Sequence, residues 1–234
     1  VFTLNMIDRQ ILSILAEDVK RDLGLSDAEL GFLYGTAFAI FYSLFGIPLG
    51  RLADSWSRVR LMTIGLALWS GMTAISGFAK NGVHLAMARI GVGVGEATCS
   101  PCAYSLLSDY FPREKRATVL AIYASGGTLG AGLALGLGGA IVGTWNQAFP
   151  DGGPLGLVGW QAAFLAVGIP GLLLAFWVAT LREPVRGASE GIAAPASPSP
   201  FADFLRELIA VIPPFTLFGA MQRGPKALAI NLGF

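Results

Sequence analysis

The chain has 234 residues, of which 54% are hydrophobic and 13% charged, with 31 glycines and a formal net charge of +1. Soluble domains carry roughly 25% charged residues and ~7% glycine, so the composition excludes a disordered chain, and the glycines lack the every-third period of collagen. The balanced charge excludes the basic footprint of a nucleic-acid-binding domain. Two cysteines build neither a disulfide framework nor a four-ligand zinc site, and no metal or cofactor is expected.

In chain order the apolar sequence falls into six runs. Residues 1–15 are apolar apart from Asp8 and Arg9, and start abruptly, with neither an initiator Met nor a signal-peptide cleavage site. They read as a helix whose first turns are missing. Ser26 followed by Glu29 spells a capping box, which opens a second helix with the charge-free run 30–49. Runs 61–78, 117–143 and 160–180 carry no charge either, and run 83–105 carries only Arg89 and Glu96. Apolar stretches of about 18 residues or more read as transmembrane helices. The sequence therefore predicts an all-α membrane protein, with a six-helix transmembrane bundle over residues 1–182.

The links 50–60, 79–82 and 111–116 are short, which favours antiparallel neighbours. Residues 144–159, with Pro150, Gly152, Gly153 and Pro154, predict a loop. Basic residues set the orientation. Arg51, Arg58, Arg60, Arg113, Lys115, Arg116, Arg182, Arg186, Arg206, Arg223 and Lys226 fall on one side, 11 of the 16 in the chain, against Lys20, Arg21 and Lys80 on the other. The positive-inside rule places that side and the N-terminus in the cytoplasm. The first outer loop is acidic, with Glu17, Asp18, Asp22, Asp27 and Glu29.

Beyond Arg182 the texture changes. Residues 183–222 predict a cytoplasmic linker, flexible over the Ala-, Ser-, Gly- and Pro-rich part 183–200. Phe201, Phe204, Leu205, Leu208, Ile209 and Ile212 then follow helical spacing. They predict an amphipathic helix lying along the cytoplasmic membrane surface or against the bundle. A new apolar run begins near Ala227, so residues 223–234 read as the start of a seventh helix and the chain as one half of a larger protein.

Four charges lie inside spans: Asp8, Arg9, Arg89 and Glu96. Each costs roughly 2.5–3.5 kcal/mol near the bilayer centre. Facing lipid, the four would cost about 10–14 kcal/mol together, so they are expected to face a cavity or one another. Arg89 and Glu96 share a helix face but lie ~10 Å apart along the axis. Asp8 and Arg9 are neighbours that point about 100° apart. Partners must then come from different helices, with Asp8 or Glu96 opposite Arg9 or Arg89. Such a cluster is either a static ion pair that fixes packing or an aqueous site for a proton and an anionic group. Cys99 and Cys102 form a CxxC within an apolar helix and read as packing residues, and His84, the one histidine, as a surface residue. The glycines of the fifth span, from Gly126 to Gly143, suit close helix approach. No nucleophile or metal set for an intramembrane enzyme is recognisable.

Gly50-Arg51-Leu52-Ala53-Asp54-Ser55-Trp56-Ser57-Arg58-Val59-Arg60 resembles the G-x-L-x-D-x-x-x-R-x-R loop motif of the major facilitator superfamily, in its place between spans two and three. Ser55 stands where that motif usually has a basic residue and Ser57 where it has glycine. Arg89 to Gly95 resembles the family's fourth-helix R-x-x-x-G-x-G. Asn5-Met6-Ile7-Asp8-Arg9, Gly93-Val94-Gly95-Glu96-Ala97 and Ser108-Asp109-Tyr110-Phe111-Pro112 are similar to stretches of spinster-like transporters.

The resemblance implies that this is the N-terminal half of a twelve-helix, multi-pass transporter of the cell membrane, a bacterial inner membrane if the source is bacterial. Its C-terminal half would be the partner, and access to the central cavity would alternate between the two sides. Helices one and four line that cavity in the family, which gathers Asp8, Arg9, Arg89 and Glu96. It further implies a lysophospholipid or sphingosine-phosphate-like substrate and proton coupling. On this reading Asp8 and Glu96 carry protons, while Arg9, Arg89 and Glu96 meet the substrate. Gly50, Asp54, Arg58, Arg60 and Asp109 form a gating loop, with Asp54, Arg58 and Asp109 expected in one charge cluster. The alternatives are a proton-coupled exporter of drugs or small organic anions, and a membrane sensor or scaffold that does not transport.

Overall fold

A computed structural model describes residues 1–187 and 199–211. The rest of the expected linker and the expected start of a seventh helix, with Ile212, Arg223, Lys226 and Ala227, lie outside the described residues. Among those described there are helices and no strand. In order they are α1 (Phe2–Ile14), α2 (Ala16–Leu23), α3 (Asp27–Ser55), α4 (Arg58–Ser76), α5 (Gly82–Glu96), α6 (Cys99–Tyr110), α7 (Arg113–Ala148), α8 (Gly159–Ala179) and α9 (Pro200–Val211). Four of them, α3, α4, α7 and α8, are long and apolar enough to cross a membrane uninterrupted.

The other two rods are each broken once. α1 passes into α2 at Leu15, and Gly24, in the left-handed region at φ 65°, ends α2. The acidic segment after span one is thus largely helical, where the sequence reading had a loop. Run 83–105 divides into α5 and α6 at Ala97 and Thr98. Pro101 explains the break: it has no N–H to offer Ala97, and its ring crowds the carbonyl four residues back. The Thr98 hydroxyl donates to the Gly95 carbonyl at 2.8 Å across the break. The expected loop 144–159 is also shorter than read, because α7 continues to Ala148 and only a 3-10 turn at Pro154–Gly156 precedes α8. The capping box of α3 forms as written: Ser26 Oγ accepts the Glu29 N–H at 3.2 Å, and Glu29 Oε2 accepts the Ser26 N–H at 2.8 Å.

α4 lies along α8 on one side and α5 on the other, while α1 lies along α7. In lipid, helices gain little from the hydrophobic effect on meeting, so contact depends on how closely their surfaces approach. Glycine provides that approach. A Cβ on Gly95 would sit 2.7 Å from the Gly65 carbonyl oxygen and 2.7 Å from the Trp69 nitrogen, backbone atoms of α4 that cannot step aside. One on Gly168 would meet the α4 backbone at Ala74 N, 2.6 Å away. On α7, Gly126, Gly130 and Gly138 face α1, whereas Gly132, Gly136, Gly139 and Gly143 have nothing within 4 Å. Two apolar clusters fill the bundle, one around Leu52, Met62, Leu66, Trp69 and Leu106, the other around Ile11, Leu12, Val19, Leu85 and Phe164. Gly95→Val should therefore destabilise the bundle by roughly 1–3 kcal/mol, read as a lowered melting temperature in detergent, while Gly136→Ala should leave that temperature within error.

Candidate functional site

α1 and α5 each bring one carboxylate and one arginine to the interior, and the pairs form between the two helices. Arg9 Nε donates to Glu96 Oε2 at 2.8 Å, and Arg89 Nη1 lies 3.7 Å from Asp8 Oδ2. Side-chain exposure is 0% for Glu96, 1% for Asp8 and 2% for Arg89, against 31% for Arg9. The two inter-helix pairs expected from the spacing thus both occur. Burial of Asp8, Arg89 and Glu96 leaves hydrogen-bonding capacity unused: Asp8 Oδ2, Glu96 Oε1, Arg89 Nε and Nη1, and the neighbouring Asn5 Nδ2 make no hydrogen bond among the described residues. Buried polar atoms are nearly always partnered. Unpartnered ones inside a spanning bundle mark a place where water, a proton or a polar ligand is accommodated.

Several contributors to this site carry no charge and were not legible as site residues. Thr73, in the charge-free run of α4, donates its hydroxyl to Asp8 Oδ1 at 2.7 Å. From α3, Phe38 and Tyr42 stack on each other, with centroids 5.5 Å apart. The Arg9 guanidinium carbon lies 5.0 Å from the Phe38 ring centre and 4.7 Å from that of Tyr42; the Arg89 carbon lies 5.6 Å from Phe38. Gly93 makes this possible, since a Cβ there would come within 2.9 Å of the Phe38 carbonyl oxygen. The glycines of the R-x-x-x-G-x-G pattern thus have separate tasks, Gly93 admitting α3 and Gly95 admitting α4. A cavity of ≈ 220 Å³ opens here, lined by Arg9, Gln10, Tyr34, Gly35, Phe38 and Arg89. Tyr34 and Gly35 lie in a π-helical turn, Phe32–Thr36, an irregularity often found at functional sites.

A second charged cluster sits where α3 ends and α4 begins, the expected 50–60 link being helical except at Trp56 and Ser57. Arg58 is buried and donates to Asp109, to Ser105 Oγ at 2.8 Å, to Glu183 Oε1 at 2.9 Å and to the Pro184 carbonyl at 2.9 Å. The expected third member, Asp54, is exposed and has no ion pair or hydrogen bond among the described residues. Glu183 occupies its place: Oε2 also accepts the Val59 N–H and the Ser57 hydroxyl, each at 2.8 Å, and so caps the start of α4. Asp54 lies exposed at the last turn of α3, within electrostatic reach of Arg186, whereas Glu183, just beyond α8, meets Arg58 directly. Arg186 donates to the carbonyls of Ala53 and Trp56 at the end of α3, and the Gly187 N–H bonds Asp109 Oδ1 at 3.1 Å. Residues 183–187, read from composition as flexible linker, are therefore bound into the bundle.

α9 lies against α3 and not apart from the bundle, with Trp56 and Phe201 5.2 Å apart between ring centres and Arg51 Nε 3.4 Å from Glu207. Gly50 is half-buried, with open space where a Cβ would stand, and Arg60 is exposed. Cys99 and Cys102 are buried and unbonded to each other, and His84 is exposed. Among the described residues no His, Cys, Asp and Glu group is placed to hold a metal.

A bundle of apolar helices, a charged loop between the second and third rods and paired charges in its middle define a multi-pass membrane protein. The chain belongs to the Major Facilitator Superfamily, whose family model matches residues 1–230. It is 35% identical over 172 residues to an MFS-type efflux pump of Mycolicibacterium smegmatis, covering 72% of this chain and 40% of that protein. It is 31% identical over 188 residues to protein spinster of Drosophila melanogaster, covering 80% of this chain and 29% of that one. Among solved structures it resembles a bacterial homolog of the human lysosomal transporter Spinster in an inward-facing, occupied conformation. That likeness has a TM-score of 0.75 and 37% identity, over 81% of this chain and 44% of that one. The chain thus spans less than half the length of these relatives, and its resemblance within the superfamily is to spinster-like transporters.

The Glu183 cluster is open to titration. Burial acts to raise the Glu183 carboxyl, but the Val59 N–H, the Arg58 guanidinium and the Ser57 hydroxyl outweigh it and hold the group below its ordinary value. A carboxyl lowered on folding adds stability that is complete at neutral pH and is lost as pH falls from the unfolded towards the folded value. Glu183→Gln should lower the melting temperature at pH 7, and its difference from wild type should shrink in acid.

Proposed function

We propose that the chain is the N-terminal half of a secondary active transporter that works by alternating access, is coupled to protons, and moves an amphiphilic anion of the lysophospholipid or sphingosine-phosphate type. The observation that carries this reading is the pair of arginine–carboxylate contacts inside the bundle, with donors and acceptors left over. A carboxylate holds its arginine only while ionised. When Glu96 or Asp8 takes a proton, Arg9 or Arg89 is released to an anionic headgroup. When the anion leaves, the arginine recovers its carboxylate and the proton departs. Proton and anion are thereby linked through the same side chains. Likeness to spinster-type proteins supports a lipid substrate. The efflux-pump relative supports the second reading, export of drugs or small organic anions through the same charge exchange. With the basic links inside, the N-terminus lies in the cytoplasm.

The gating loop divides by exposure. Arg58 and Asp109 are tied into this bundle, whereas Asp54 and Arg60, with the half-buried Gly50 between neighbouring turns, are left to meet a C-terminal half and stabilise the state closed to the cytoplasm. Asp54→Asn should shift the inward–outward balance, measured by cysteine accessibility at the two mouths, without lowering the bundle's melting temperature. An unchanged balance would remove Asp54 from the gate.

Function is tested in proteoliposomes holding the whole transporter, with lysophosphatidylglycerol and glucuronate as probes, with and without a pH gradient. Gradient-driven accumulation of the lysolipid supports the first reading and of glucuronate the second, while binding without flux makes the protein a sensor or scaffold. Glu96→Gln should abolish the response to the gradient, and full pH dependence in that variant would exclude Glu96 from coupling.

A further inference from the structure

Phe38 is neither charged nor on the helices that supply the ion pairs, yet its ring is, among the described residues, the one aromatic ring that both arginines share, with guanidinium carbons 5.0 Å and 5.6 Å from its centre. Arg89 depends on it most. It is almost wholly buried, its carboxylate partner stands off at 3.7 Å, and its Nε and Nη1 make no hydrogen bond among the described residues. Both arginines and Phe38 line the same ≈ 220 Å³ cavity.

A guanidinium has two recognition surfaces. Its flat face is attracted to the π-electrons of a ring, while its N–H donors lie in the plane and take up an anion edge-on. The two uses do not compete. The carboxylates differ in this respect, because Asp8 and Glu96 occupy the edge that an anion needs and must let go before it binds. A phenyl ring does not titrate, so its hold is the same before and after a carboxylate takes a proton. A long side chain that loses its only ionic partner would otherwise disperse among rotamers, and ordering it again would reduce the affinity for the ligand.

We propose that Phe38 is a positioning residue for anion recognition: it backs the guanidinium groups of Arg9 and Arg89 by their faces and keeps their edges turned to the cavity after the carboxylates release them. Tyr42 assists at Arg9 alone, 4.7 Å from its guanidinium carbon. Gly93 sets the distance by letting α3 lie close enough for the ring to reach. This inference rests on the anion-binding role proposed above for the two arginines.

The test measures initial transport rates of lysophosphatidylglycerol in proteoliposomes of the whole transporter at fixed pH. Phe38→Leu, which keeps apolar bulk but loses the π-face, should raise KM about three- to tenfold with the maximal rate within about twofold of wild type. Phe38→Tyr should restore KM to within about twofold. Melting temperatures of both variants are measured alongside, because a ring that only fills space would lower stability and maximal rate together and would not distinguish Leu from Tyr by KM. If Arg89→Gln raises KM while Phe38→Leu leaves it unchanged, the positioning role is wrong and the anion site stands. If Arg9→Gln and Arg89→Gln also leave KM unchanged, the anion-site reading fails with it.

Discussion

Placing charge inside hydrocarbon is the constraint from which the rest of this bundle follows. Four ionisable side chains facing lipid would cost on the order of 10 kcal/mol, comparable to the whole stability of a typical domain. The fold brings α1 and α5 together so that Arg9 reaches Glu96 and Arg89 approaches Asp8. Thr73 then anchors the second oxygen of Asp8 from α4, and Phe38 and Tyr42 bring their rings beside the guanidinium groups from α3. Four rods are thus committed to one polar layer. The layer is incompletely satisfied, and buried hydrogen-bonding capacity of that kind suits a site that exchanges partners better than one that only holds helices in register.

The second polar cluster differs in kind. Around Arg58 the hydrogen-bonding groups are matched: Asp109, Ser105, Glu183 and the Pro184 carbonyl take its donors, and Glu183 in turn caps α4. It joins the ends of α3, α4, α6 and α8 into one block, and Arg186 closes the last turn of α3. One charge cluster is open and the other closed. That contrast is what sets the centre proposed to work apart from the one that braces the helix ends.

The sequence was most legible where chemistry is costly or periodic. Charge-free runs marked the long rods, and the rarity of charge within spans marked Asp8, Arg9, Arg89 and Glu96. Residue spacing alone required their partners to lie on different helices. Interactions made by ordinary residues were not legible. Thr73 is one hydroxyl among several in an apolar run, and Phe38 is one of 15 phenylalanines. Their importance comes from which helix they meet, which is a long-range fact. The motif points to Asp54 beside Arg58, whereas the carboxylate that joins Asp109 in bonding Arg58 is Glu183, 125 positions away, which no local pattern announces. Proline was read as a loop signal near position 150, but its effect at Pro101, inside an apolar run, was overlooked.

Gly93 and Gly95 stand two positions apart, roughly 200° around the helix axis, and each is pressed against the backbone of a different neighbour. α5 is therefore gripped on nearly opposite sides at one height, with no side chain on either flank to act as a compliant spacer. Rolling about its own axis would drive the adjoining side chains, Val92 and Val94 among them, into main-chain atoms that have nowhere to go. The polar layer cannot be rearranged by turning this rod like a key. The partner exchange proposed for Arg89 and Glu96 would then come from the side chains rather than from rotation of α5. The closest backbone approaches of α5 lie beside the least satisfied polar groups of the bundle.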